Sequence, residues 1–167
     1  MRRVTTVEPA GAADLDGLAA LLVDAVEGGA SVGFLSGLDL EGARAFWRRA
    51  LGGGASTWVA RDRDGAVVGC VQLHPSAMPN GAHRAEVAKL LVLRRARGAG
   101  VAGALMARLE QEARALGRTV LVLDTETGSP AEAVYARWGW QRVGTVDAYA
   151  ADPYGTLRPT TILTKRL

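Results

Sequence analysis

Between Val87 and Leu105 the chain reads Val-Ala-Lys-Leu-Leu-Val-Leu-Arg-Arg-Ala-Arg-Gly-Ala-Gly-Val-Ala-Gly-Ala-Leu. An apolar strand there runs into a basic, glycine-containing loop, and the loop opens a helix. The first N–H groups of a helix have no acceptor within it, and the macrodipole adds positive potential at that end. Glycines let a ligand come close to the main chain. Such a place suits a phosphate or pyrophosphate. Charge-assisted hydrogen bonds are worth about 1.5–3 kcal/mol each, so three or four would anchor a cofactor.

Three phosphate patterns compete for this stretch. The Walker A loop requires Gly-Lys-Ser/Thr at its end, which is absent. Gly98, Gly100 and Gly103 do spell the dinucleotide pattern Gly-x-Gly-x-x-Gly, and Asp124 follows the next apolar run at roughly the 20-residue distance of that pattern's acidic residue. Two features oppose this reading. A dinucleotide site places its first glycine directly off the strand, whereas Arg94 to Arg97 intervene here. The strand also follows several antiparallel-looking elements. The third pattern, Arg/Gln-x-x-Gly-x-Gly/Ala, is met by Arg95, Gly98 and Gly100.

Residues able to move protons flank the loop. Glu86 lies on the strand that leads into it, and a charge in an apolar strand is costly without a role or a partner. A general base and an ion pair with Arg84 or Lys89 are equally good explanations. Asp124 closes the apolar run Thr119–Leu123, and ligands of such sheets bind beyond the carboxyl ends of parallel strands. It serves either as a proton acceptor or as the cap of a turn over Thr125–Gly128. Tyr135 sits one turn into a short helix and brings a hydroxyl that needs a partner when buried. Phe34 and Leu35 are apolar residues in a glycine-rich loop. They line an acceptor pocket or staple onto the next helix. His74 and His83 read as solvated loop residues and Cys70 as an inert core thiol. No His/Cys/Asp grouping has metal-ligand spacing, so no metal is expected.

These residues need a scaffold, and the hydrophobic pattern supplies one. Arg2–Val7 reads as a strand and Asp14–Val26 as a helix, with Leu15, Leu18, Leu22 and Val26 at helical spacing. A loop spans Gly28–Gly37. A second helix runs to Leu51 from an N-cap at Asp39. Ser56–Arg61 and Ala66–Leu73 form a hairpin around Asp64-Gly65. Arg84–Leu93 is a central strand covered on both faces, and Gly100–Leu116 a helix ended by Gly117. Ser129, Pro130, Glu132 and Gly139 punctuate a short helix. Trp140–Val146 and Thr160–Lys165 complete the strands, joined by a loop holding Asp152-Pro153-Tyr154-Gly155. Strands and helices alternate without a linker, so residues 1–167 read as a single mixed α/β domain.

Composition bounds the setting. A chain of 167 residues buries about 70% of its unfolded surface as one domain. One cysteine excludes an intramolecular disulfide and points to a reducing compartment. No apolar segment has signal-peptide or membrane-span length, so a cytoplasmic location is expected. The net charge is +3, carried nearly all by dispersed arginines. The exception, Arg94, Arg95 and Arg97, suits a small anion better than a nucleic-acid backbone.

Arg95-x-x-Gly98-x-Gly100, followed by Tyr135-Ala-Arg-Trp-Gly139-Trp140, resembles the two motifs of the GCN5-related N-acetyltransferase (GNAT) family, and the element order matches over nearly the whole length. The resemblance implies a mostly antiparallel sheet of about seven strands with one splayed parallel pair and about four helices. It implies acetyl-CoA as cofactor and N-acetylation as the activity. The amides of Arg97, Gly98, Ala99, Gly100, Val101 and Ala102 would hold the pyrophosphate, and the strand edge Leu91, Val92 and Leu93 would pair with the pantetheine arm. Tyr135 would be the general acid beside the thioester sulfur. The stretches Ala30–Phe34, Ala45–Trp47, Glu86–Leu90, Leu123–Ser129 and Ala131–Tyr135 are also similar to the tabtoxin-resistance subgroup, as are Asp152–Gly155 and Pro159-Thr160. In that subgroup Glu86 and Asp124 would both be proton acceptors. The expected acceptor is therefore the amine of an amino-acid-like or β-lactam small molecule, with a peptide amine or a non-catalytic acetyl-CoA-binding role as alternatives. The protein would be a monomer or homodimer, with no nucleic-acid or membrane partner. One position departs from the family: Gly128 stands where many members have an asparagine that touches the cofactor.

Overall fold

The computed structural model describes residues 6–167. The first expected strand lies largely outside them, and its described part is β1 (Thr6–Pro9). Then follow α1 (Leu15–Glu27), α2 (Leu40–Leu51), β2 (Ser56–Arg61), β3 (Val67–Pro75), β4 (Arg84–Val92), α3 (Val101–Ala115), β5 (Val120–Glu126), α4 (Pro130–Arg137), β6 (Gln141–Ala151) and β7 (Leu157–Arg166). The seven strands form one sheet in the order β1-β2-β3-β4-β5-β7-β6, and β4–β5 is its parallel pair. No helix among the described residues is long and apolar enough to cross a membrane.

Local signals set most boundaries. Asp39 Oδ1 accepts the Gly42 amide at 2.8 Å to cap α2. Ser129 Oγ accepts the Glu132 amide to start α4, with Pro130 in the first turn. The β2–β3 turn combines Gly65 at φ +79° with Asp62 Oδ1, which accepts the Asp64 and Ala66 amides.

Strand alternation divides the core between the two sheet faces. Trp58, Ala60, Val71, Leu73, Ala85, Val87, Leu121 and Leu123 pack with α3 and Tyr135 of α4. Val59, Cys70 and Leu91 pack with α1 and α2. The fit of α3 depends on Gly69: a Cβ there would lie 2.8 Å from Val101 Cγ1 and 3.0 Å from the Leu91 carbonyl oxygen. Gly69→Ala is therefore expected to destabilise the fold by about 1–3 kcal/mol, as other overpacked cores do, measured by urea unfolding.

Two irregularities shape the middle of the sheet. Cys70 pairs with Leu91 but Gln72 with Ala88, so Val71 faces both Lys89 and Leu90. Lys89 takes φ +51°, and Cys70 Sγ donates to its carbonyl at 3.3 Å. This bulge re-aims β4. The β4–β5 pairing ends after Arg84–Val120, Ala85–Leu121 and Glu86–Val122. Beyond it, β5 follows β7 from Leu123–Leu163 to Glu126–Thr160. The two parallel strands therefore part just past Glu86.

The joining loop near the C-terminus is shorter than expected. β6 and β7 pair through an irregularity near Ala148 (φ +48°) as far as Ala151–Leu157. Only the turn between them remains. It is fixed by Asp152, which accepts the Tyr154 and Thr156 amides and Arg158 Nε. Most of β6 is exposed, so no alternation of apolar residues marked its length.

Candidate active site

Glu86 and Asp124 flank the place where β4 and β5 part. Ala85 and Val87 enter the α3-side core, so Glu86 between them projects from the opposite face, where α1 and α2 lie. It is exposed and forms no ion pair among the described residues. The alternative of an ion pair with Arg84 or Lys89 is not made, and the burial cost inferred for an apolar strand does not apply. Leu121 and Leu123 face α3 in the same way, which turns Asp124 to the face that carries Glu86. Asp124 lies inside β5, opposite Ile162, rather than after the strand. It caps no turn. Its Oδ2 accepts the Thr160 hydroxyl at 2.9 Å, and the same hydroxyl also donates to the Thr125 carbonyl.

Tyr135 enters from the other face. Its ring packs edge-on against Trp138 (5.9 Å between centroids) and Trp140 (5.7 Å), and the residue is 7% exposed. Its hydroxyl makes no hydrogen bond with the described residues. Burial, and then the negative charge of Asp124, push its pKa up to about 12. The phenol therefore keeps its proton throughout the neutral range.

Past β4 the chain makes a short 3-10 turn over Arg94–Ala96 and reaches α3. Gly98 and Gly100 take φ +76° and +80°, and nothing lies within 4 Å of a Cβ built on either. The first amide of this segment with an acceptor is that of Ala104, which donates to the Gly100 carbonyl at 3.1 Å. The amides of Gly98 through Gly103 have no backbone acceptor among the described residues, and Gly100 caps α3 without a side chain. A run of open donors at a helix start suits a diphosphate.

The three clustered arginines divide. Arg94 donates from its amide and Nε to Asp24 at 2.9 Å and from a terminal nitrogen to Glu27 at 3.4 Å, so α1 holds it. Arg95 approaches the buried Asp62 at 3.8 Å. Arg97 is exposed and forms no ion pair with the described residues. On the strand edge, the Leu93 amide donates to the Val68 carbonyl, so it is not available to a ligand. Alternation along β4 turns the Val92 amide toward the opening. The Leu91 side chain is buried in the α1–α2 core.

In the loop after α1, Phe34 is half-buried and meets Phe46 of α2 edge-on at 5.2 Å. Leu35 is exposed. The Ser36 amide donates to the Pro153 carbonyl at 2.7 Å, which ties this loop to the β6–β7 turn. At the position of the missing asparagine, the Gly128 amide donates to Glu132 Oε2, and Ser129 Oγ accepts the Glu132 amide.

Residues 32–140 match the acetyltransferase (GNAT) family. The chain belongs to that family. Acetyl-CoA is the family's cosubstrate, and the open amides before α3 are a donor set its diphosphate fits. The acetyltransferase is similar to several solved structures. Ribosomal-protein-alanine N-acetyltransferase from Brucella melitensis is 28% identical, with a TM-score of 0.79 over 98% of this chain and 100% of that one. A GCN5-related N-acetyltransferase from Kribbella flavida is 26% identical, with a TM-score of 0.80 over 97% of each chain. A phosphinothricin acetyltransferase from Sinorhizobium meliloti, solved with acetyl-CoA, shares the fold at 22% identity and a TM-score of 0.82, over 97% of this chain and 88% of that one.

In the acetyltransferase's sequence Lys89 reads only as an ion-pair partner. The structure places its ammonium at the opening, 5.6 Å from the Phe46 ring centroid. Burial lowers its pKa, against the raising effects of Cys70, Asp124 and Glu86. A lone charge within an apolar run was the only signal. Cys70, by contrast, is the buried thiol expected, with its pKa pushed up by burial.

Proposed function

We propose that this N-acetyltransferase moves the acetyl group of acetyl-CoA to the primary amine of a small, amino-acid-like or β-lactam-like molecule, as its motif similarity to the tabtoxin-resistance subgroup suggests. The observation that carries the chemistry is the parting of β4 and β5. Glu86 and Asp124 share the α1–α2 face of the sheet beside that parting, Tyr135 packs on the opposite face where it feels the Asp124 charge, and the open amides of residues 98–103 follow β4.

The cosubstrate supplies an acyl thioester. Arg97, the amides of Gly98–Ala102 and the Val92 edge of β4 hold it. An alkylammonium has a pKa near about 10 and must lose a proton to become a nucleophile. Glu86 and Asp124 accept that proton directly or through water. As the new N–C bond forms and the C–S bond breaks, Tyr135 donates its proton to the leaving sulfur, and the second proton shed by the acetylated nitrogen restores the phenol.

The small acceptor is favoured by the Ser36–Pro153 hydrogen bond. It joins the two loops that would have to stand apart for a peptide to lie across the site. Thiol release with a panel of small amines and short peptides tests this reading. Small amines are expected to turn over and peptides to be poor, and the reverse order would reject it. Within that assay, Glu86→Gln or Asp124→Asn is expected to lower the rate at pH 7 by up to about 10²–10⁴-fold, the larger loss marking the principal base. The loss should shrink as pH rises toward about 10, because the amine then arrives neutral without help.

A further inference from the structure

Lys89 occupies an unusual position for a lysine. The β4 bulge holds its backbone at φ +51°, and Cys70 Sγ donates to its carbonyl, so the residue is fixed at its root. The side chain is half-buried. Its Nζ stands 5.6 Å from the Phe46 ring centroid and 4.0 Å from the point a Cβ on Gly33 would occupy. The ammonium is thus held between α2 and the loop that Ser36 ties to the β6–β7 turn. It makes no hydrogen bond and no ion pair with the described residues.

An ammonium carries three donors and no acceptor, and a partly desolvated cation gains from an anion that reaches it. The π face of Phe46 meets only part of that need. Glu86 and Asp124 influence Lys89 electrostatically, yet burial outweighs them and its pKa falls. The opening therefore presents two carboxylates suited to an amine and, beside them, one under-compensated cation.

We propose that Lys89 determines acceptor specificity by binding a carboxylate carried next to the amine that is acetylated, so that the acceptor is a zwitterionic amino acid rather than a simple alkylamine. This rests on the small-molecule reading above and adds a residue and a charge requirement to it. Gly33 matters in the same arrangement, because any side chain there would approach the ammonium from the loop side.

The test uses pairs of probes: a panel of free L-amino acids and the primary amide of each, assayed by thiol release with the wild-type enzyme and with Lys89→Met. Methionine keeps an unbranched chain against Phe46 and removes the charge. Wild type is expected to favour the acid of at least one pair by about tenfold to a hundredfold in kcat/KM, chiefly through KM, as the loss of a charge-assisted hydrogen bond would give. In Lys89→Met that ratio should collapse toward one, with the acetyl-CoA Kd within about threefold of wild type. Lys89→Arg should recover part of the preference. Equal use of acid and amide by wild type overturns the proposal and leaves the small-molecule reading intact. So does a preference that survives in Lys89→Met, or a fall in both substrates accompanied by a shift in acetyl-CoA Kd, which marks a structural role. If wild type turns over no member of any pair and accepts only peptides, the small-molecule reading fails and the anchor fails with it.

Discussion

Tyr135→Phe is expected to slow acetyl transfer by about 10²–10⁴-fold, the range of general acid–base contributions, with the acetyl-CoA Kd unchanged. The substitution removes one oxygen and keeps the ring that Trp138 and Trp140 pack against. The hydroxyl makes no bond with the described residues that its loss would leave unpaired, so folding stability should hardly move. A loss confined to kcat would therefore report on chemistry. The pH profile sharpens the test. Burial and the Asp124 charge raise the phenol pKa to about 12, so its proton is present below that value and lost only as pH rises through it. Any basic limb of the wild-type rate between pH 8 and about 10 must then belong to another group, and Tyr135→Phe should retain that limb at a lower plateau. Equal turnover by both proteins would remove Tyr135 from the reaction and favour a binding-only role for the fold.

The second large effect concerns the loop before α3. Gly98→Ala with Gly100→Ala asks two residues at φ +76° and +80° to accept a Cβ, at about 1–2 kcal/mol each. The space is open, so the penalty is conformational rather than steric. If the loop keeps its shape, stability falls by that amount. If it relaxes to negative φ, the amides of residues 98–103 turn away from one another. Each charge-assisted bond lost is worth about 1.5–3 kcal/mol, so the acetyl-CoA Kd should then rise at least about tenfold. Paired thermal melts and titrations separate the two outcomes. Arg97→Glu complements them. It breaks no ion pair with the described residues, and it should weaken acetyl-CoA while flattening the dependence of Kd on salt.

What was legible in the sequence was mostly local. Asp39 capping α2, Ser129-Pro130 opening α4 and Asp64-Gly65 turning the hairpin are short-range hydrogen-bond and dihedral preferences, and each is where the spacing placed it. The loop glycines were legible for the same reason. The features that shape the site were not local. The bulge at Lys89 sits in the run Val87–Leu93, where apolar residues on both faces erase the alternation that would betray an extra residue. Arg94 reads as part of an anion-binding cluster until α1, 70 positions earlier in the chain, delivers Asp24. Asp124 looked like a strand end because apolar character stops there, although backbone pairing with β7 continues to Glu126. Glu86 drew notice for a cost of burial that its exposed position does not impose.

The proposed reaction depends on the main-chain donors just past β4 gripping the diphosphate of acetyl-CoA. Calorimetric titration of acetyl-CoA into the purified wild-type protein tests it most directly, with NADH titrated in parallel. A single site filled by acetyl-CoA, with no heat from NADH, is the expected result. Absence of an acetyl-CoA complex, or saturable binding of NADH that acetyl-CoA displaces, would contradict it.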